Sequence, residues 1–214
     1  MVKSTVVNRL DGLPLAASVD DEKTEKDLEA HKKQAKLLLK RLTPTSEKMA
    51  SVEAGNYTFH YLIDNNICYL CICDQSYPRK LAFSYLEELA SEFWSSYGED
   101  ALKPNLRPFA FVQFDLFMQK TKRLYNAPRT NENLDRLNSE LKDVTRVMTK
   151  NIEDLLYRGD SLDKMTDLSS KLRYSSAKYK KAARRVNIEA MLRQYAPIVL
   201  FIILFVGFIY WRFF

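Results

Sequence analysis

LDRLNSELKDVTRVMTKNIEDLLYRGDSLDKMTDLSSKLRYSSAKYKKAARRV, residues 134–186, is the stretch on which the reading of this 214-residue chain turns. Its seam positions advance by alternating steps of three and four: Leu134, Leu137, Leu141, Val144, Met148, Asn151, Leu155, Arg158, Leu162, Met165, Ser169, Leu172, Ser176, Tyr179, Ala183 and Val186. Sixteen such positions over 53 residues predict a coiled coil rather than a helix lying on a globule. Residues 131–191 hold no proline and one glycine, Gly159, so a single long helix is allowed. Asn151, Arg158, Ser169 and Ser176 are the polar members of the seam. Arg158 needs an account of its own, because a guanidinium keeps its charge and its five donors wherever it is buried. Either partner helices supply acceptors to it, which also sets register, or it snorkels off a loose seam beside Gly159. Spacing alone favours neither.

Toward the C-terminus, residues 171–185 carry seven basic side chains and no acidic one. Lys178, Lys180, Lys181, Arg184 and Arg185 are placed to meet anionic headgroups; the plainer reading is a solvated face with a positive-inside signal. An uncharged run follows, APIVLFIILFVGFIYW at 196–211. Counted from Tyr195 to Phe214 it is 20 residues, about 30 Å of helix and roughly one bilayer core. Tyr195, Tyr210 and Trp211 sit at its ends, where amphipathic rings suit the headgroup region. The N-terminus, MVKSTVVNRLDG, meets Asp11 too early for a signal peptide, so a C-terminally anchored chain with its bulk in the cytosol is expected.

Ahead of the heptads, residues 1–126 hold 17 basic and 17 acidic side chains. The net charge of +6 therefore lies wholly behind them, and the first 126 residues offer no footprint for nucleic acid. KSTVVNR and LPLAASV flank Asp11-Gly12, a hairpin signal, and 25–42 runs at helical period with Leu28, Ala35, Leu38 and Leu42 inward. YTFHYLI and ICYLCIC read as strands joined by Asp64-Asn65-Asn66, with MASVEAG as a short strand before them. A helix follows Pro78, with Leu81, Tyr85, Leu89 and Phe93 on its apolar stripe and Gly98 at its end. VQFDLFMQKTKRLY supplies a last helix. The order β-β-α-β-β-β-α-α predicts an α+β domain of about five antiparallel strands with helices on both faces.

The sequence offers little for catalysis. His31 and His60 lie outside any metal-ligand spacing, and there is no glycine-rich phosphate loop or nucleophile elbow. Cys68 faces one side of its strand while Cys71 and Cys73 share the other; apolar neighbours mark them as inert buried thiols. No catalytic residue, metal or cofactor is expected. Twelve Phe, twelve Tyr and two Trp exclude wholesale disorder, and three crowded cysteines exclude a disulfide-stapled scaffold.

A small α+β domain, a heptad with arginine at its centre and an apolar C-terminus together resemble the R-type SNAREs of the longin, synaptobrevin-like class. DGLPLAAS, YPRKLAFSYLEEL, RPFAFVQFD, FMQKTKRLY and NIEDLLYRGDSLDKM resemble the branch working between endoplasmic reticulum and Golgi. The resemblance implies a longin (profilin-like) domain over 1–126, a linker over 127–133, a SNARE motif and juxtamembrane segment over 134–194, and a transmembrane anchor over 195–214. It implies that Arg158 is the central ionic layer, packed against three glutamines of Q-type partners (one syntaxin-like helix and two others). Leu155 and Leu162 would be the layers sealing it. Zippering from Leu134 toward Val186 would draw the anchors together and merge the membranes. The resemblance also implies that the longin domain folds back over its own SNARE helix through Asn151, Ile152 and Glu153, the form taken up by coat cargo-selection subunits. The bland alternative leaves Ile152 and Glu153 as ordinary off-seam residues. A non-fusogenic longin regulator or tether is the rival functional reading, and Arg158 with the anchor argues against it. The acidic stretch of residues 20–29 matches no motif, and its role stays open.

Overall fold

The computed structural model describes residues 1–127 and 147–156. The chain opens with a hairpin, β1 (Val2–Arg9) and β2 (Pro14–Ala17). Gly12 turns it with φ +89°, its amide bonded to the Arg9 carbonyl at 2.9 Å. Two helices follow, α1 (Glu22–Asp27) and α2 (Glu29–Arg41). Glu29 in the first turn of α2 and Lys40 and Arg41 in its last complement the helix dipole, and Thr43-Pro44 stops it.

The meander β3 (Met49–Ala54), β4 (Tyr57–Asp64) and β5 (Ile67–Asp74) comes next. Asn65 and Asn66 both take positive φ, 49° and 63°, the signature of a two-residue primed turn. Helices α3 (Arg79–Ala101) and α4 (Phe114–Asn126) complete the body. The last described elements are a strand, β6 (Met148–Asn151), and a single helical turn, α5 (Ile152–Leu156).

The sheet runs in the order β2-β1-β5-β4-β3-β6, antiparallel except for the parallel pair β3–β6. Residues of β5 alternate between two cores. Tyr69, Cys71 and Cys73 join Phe83, Tyr85, Phe93 and Phe114 under α3 and α4. Cys68, Leu70 and Ile72 join Leu28, Leu38, Val52 and Phe59 under α2. Helices thus cover both faces, as the alternation of apolar residues requires. Phe93 is the hub of the first core, with ring centroids of Phe114 at 5.0 Å and Phe111 at 5.5 Å, both edge-on.

Several expectations change. The antiparallel α+β domain is present, but the sheet gains a sixth, parallel strand. The heptad segment around Met148, Asn151 and Leu155 is not continuous helix: Met148–Asn151 is extended and only Ile152–Leu156 turns helically. An amphipathic helix without partners for its seam is marginal, and here the open edge of β3 offers its backbone an alternative set of hydrogen bonds. Gly98 does not end α3, which runs on to Ala101. Gly98 instead lets the Trp94 indole lie flat on the helix, since a Cβ there would come within 2.7 Å of the ring. The 25–42 helix is divided at Leu28, whose side chain is buried in the core. The last helix of the body starts at Phe114, behind a loop in which Phe109 and Phe111 donate their amides to Pro14 and Leu15 of β2.

Outside the described residues lie the remaining seam positions (Leu134, Leu137, Leu141, Val144, and Arg158 through Val186), the basic residues Lys178 to Arg185, and the apolar segment 195–214. Among the described residues, no helix is long and apolar enough to cross a membrane.

Candidate functional site

Residues 147–156 form a docked segment on the domain body. Its strand extends the sheet at β3, with Ala50 opposite Met148, Ser51 opposite Thr149, Val52 opposite Lys150 and Glu53 opposite Asn151. This is strand addition to an open edge, in which main-chain hydrogen bonds hold the segment and alternate side chains select it. Asn151 then ends the strand and starts the helix: its side-chain oxygen accepts the Glu153 amide at 3.0 Å, a helix N-cap.

The turn drives two apolar side chains inward. Ile152 is 4% exposed and Leu156 9%, both in the core cluster under α2 with Leu38, Val52 and Phe59. Full burial of side chains of this size is worth roughly 1.5–3 kcal/mol each. Leu155 is half-buried against the same cluster, whereas Met148, Asn151, Glu153 and Asp154 are exposed.

Two arginines hold the ends of the segment. Arg41, closing α2, donates to the Leu155 carbonyl at 2.6 Å. Arg79, opening α3, donates through Nη1 to the Val147 carbonyl at 3.3 Å and through Nη2 to the Thr149 hydroxyl at 2.7 Å. Lys150 pairs with Glu47 at 3.0 Å, but both side chains are about one-third exposed, so this contact contributes less than the apolar burial.

Behind the docked strand, the Ser51 hydroxyl bonds His60 Nδ1 at 2.8 Å, and the His60 ring meets Phe83 edge-on at 5.4 Å. Burial, with a smaller push from the Arg79 charge, lowers the His60 pKa to about 4, so the imidazole is neutral. A second buried polar group ties the opposite end of the domain. Asp20, its side chain wholly buried, pairs with Lys32 at 2.7 Å and Lys122 at 3.1 Å. Burial raises its pKa, but the two ammonium charges and hydrogen bonds outweigh that and hold it below the usual carboxylate range. Asp115 lies nearby, accepting the Val19 amide at 2.8 Å and the Gln119 amide at 2.7 Å; burial pushes it up to about 6.

Of the residues singled out from sequence, the structure places Ile152 and Leu155 against the core under α2 and leaves Met148, Asn151 and Glu153 exposed. The cysteines are buried free thiols: Cys71 and Cys73 have their sulfurs 3.6 Å apart, and burial raises Cys68 and Cys73 well above the ordinary thiol range. His31 stacks edge-on against Tyr57 at 4.7 Å. Among the described residues, no group of three acidic, His or Cys side chains is disposed to hold a metal. Sequence reasoning missed Arg41, Arg79, Thr149 and Asp20, whose partners lie far away along the chain. Asp20 gives the stretch 20–29 a part in the body of the fold, joining the chain after β2 to α2 and α4.

Comparison with known families and proteins follows the same division. Residues 15–118 match the longin family, described as a regulated-SNARE-like domain, and residues 133–213 match synaptobrevin. The docked segment therefore comes from the synaptobrevin match and lies on the longin one. The chain is 79% identical to protein transport protein sec22 of Schizosaccharomyces pombe over the full length of both. It is 59% identical over 200 residues to protein transport protein SEC22 of Yarrowia lipolytica, covering 93% of each. It is 43% identical over 203 residues to the 25.3 kDa vesicle transport protein SEC22-1 of Arabidopsis thaliana, covering 94% of this chain and 93% of the relative.

Proposed function

The chain belongs to the Sec22 family of R-type SNAREs, with longin and synaptobrevin domains, and from that membership we propose that it drives fusion of vesicles moving between endoplasmic reticulum and Golgi under the control of its own longin domain. The role is non-catalytic: the work comes from folding coupled to binding. Residues 134–186 join three Q-type helices, one of them syntaxin-like, in a parallel four-helix bundle. Arg158 forms the central ionic layer between the sealing layers Leu155 and Leu162. Residues 195–214 anchor the chain in the bilayer with its bulk in the cytosol, and Lys178, Lys180, Lys181, Arg184 and Arg185 rest on the headgroups. The division into 1–126, 127–133, 134–194 and 195–214 belongs to the same reading.

Control follows from mutual exclusion. Met148 and Asn151 cannot be a strand on β3 and successive layers of a helical bundle at the same time. The observation that supports this best is the burial of Ile152 in the core under α2. Zippering that starts at Leu134 meets the docked segment at Met148 and must peel it off before Leu155 and Arg158 can enter the bundle. The docked form is also the one presented to coat cargo-selection subunits.

The test is the rate of bundle formation with purified Q-type partners. Ile152→Asp places a carboxylate in an apolar core and releases the segment, so bundle assembly should accelerate about tenfold or more. Equal rates for native and variant chains would refute control by docking.

A further inference from the structure

The Arg79–Thr149 contact has a use beyond holding the strand. Arg79 stands at the first residue of α3, and its guanidinium meets the Thr149 hydroxyl at 2.7 Å and the Val147 carbonyl at 3.3 Å. Among the described residues no carboxylate pairs with it. His60, on which the Arg79 charge acts, is buried and neutral. An arginine whose planar fork is already aimed at an exposed hydroxyl, with its charge unanswered, is half of a phosphate receptor.

The sequence around that hydroxyl supplies the other half. Arg146-Val147-Met148-Thr149 sets an arginine three residues before the threonine, the spacing read by basophilic protein kinases. Ser139, Ser161 and Ser176 share this spacing but lie outside the described residues. Thr149 is the member of the set whose hydroxyl is observed on a guanidinium.

We propose that Thr149 is a phosphorylation site and that Arg79 receives the phosphate, locking residues 147–156 onto the longin domain. The inference rests on the docking reading above and adds its regulator. The phosphate is added to the released segment, because docked Thr149 is engaged in the ladder opposite Ser51. Thr149 Oγ attacks the terminal phosphorus of a nucleoside triphosphate. The bond to the bridging oxygen breaks, the nucleoside diphosphate leaves, and the hydroxyl proton passes to the kinase's base. The product carries about −1.5 to −2 charges at pH 7 and three acceptor oxygens, which convert one neutral-acceptor hydrogen bond to Arg79 into a charge-assisted pair. Redocking is favoured and bundle assembly is delayed.

Full-length chain in lipid nanodiscs, with phosphothreonine genetically encoded at position 149, should show amide exchange over 148–152 about tenfold slower than unmodified chain, as one charge-assisted hydrogen bond provides. Arg79→Ala should erase that difference and Arg79→Lys should keep part of it, which loss of packing alone would not produce. Unchanged or faster exchange in the phosphorylated native chain overturns the inference. Unmodified chain with no protection over 148–152 overturns the docking reading beneath it, whereas protection that ignores the phosphate overturns the inference alone. Incubation with a purified basophilic serine/threonine kinase and ATP should place phosphate on Thr149 by mass spectrometry. Phosphate at Ser139, Ser161 or Ser176 with none at Thr149 also overturns it.

Discussion

His60 shows what one buried side chain contributes to the pH response of the domain. Its folded pKa of about 4 lies below the unfolded value near 6.5, so the stability it lends is present above pH 6.5 and is lost as pH falls toward 4. Asp115, raised to about 6, has the opposite sign: its contribution is full below about 4 and is lost as pH rises through 6. Asp20, held low by Lys32 and Lys122, stabilises the fold above the ordinary carboxylate range and fails only as pH drops through its lowered value. Between pH 7 and 4.5 the histidine loses stability while Asp115 gains it. The two nearly cancel, so His60→Gln should leave the Asp115 gain uncovered and make the chain about 2 kcal/mol more stable at pH 4.5 than at pH 7, read from denaturant midpoints of the detergent-solubilised chain. A pH response unchanged from that of the native chain would mean that the histidine is charged in the fold. That His60 lies in a strand is legible from YTFHYLI; its pairing with Ser51 and its closeness to Arg79 depend on sheet register and helix packing, which no local pattern carries.

Among the elements, those whose signal is local are the legible ones. Asp11-Gly12 and Asn65-Asn66 announce hairpins because the required positive φ is chemistry of the turn itself. The helix after Pro78 follows from periodicity, but its continuation past Gly98 depends on Trp94, a contact that glycine permits and sequence pattern does not display. Strand β6 is hidden for a deeper reason. Residues 148–156 satisfy a heptad, and a period reports one host for a segment, whereas this one has a strand edge and an α2 groove available as well. The switch between strand and helical turn is made at Asn151. Asn151→Ala removes the cap, costing about 1 kcal/mol, so amides of residues 152–155 should exchange roughly fivefold faster with little change in β4 and β5. Uniform acceleration across the sheet would instead mark Asn151 as part of the global fold.

For the molecule as a whole, charge position says more than charge total: the body is neutral, and the basic excess lies in the segment proposed to approach a membrane and partner helices. In the proposed function the same residues serve two assemblies, with Leu155 in both. In the docked form it is half-buried with its carbonyl on Arg41; in the proposed bundle it seals the Arg158 layer. Leu155→Asp should therefore lower the melting temperature of the assembled bundle more than Arg158→Gln, because an unpaired carboxylate in the seal costs more than exchanging one polar layer residue for another. An equal or smaller loss for Leu155→Asp would refute the seam register. The longin body and the hairpins are thus readable from sequence; that residues 148–156 lie on the body as a strand and a helical turn is not.

Strand β3 has its outer edge satisfied only while Met148–Asn151 lie against it. Once the segment leaves for the bundle, a row of main-chain donors and acceptors from Ala50 to Glu53 faces water, with Glu53 the exposed charge on its outward side. Release thus trades an intramolecular strand for a raw sheet margin. The released form proposed above should therefore self-associate more readily than the docked one, a solubility cost that redocking would remove.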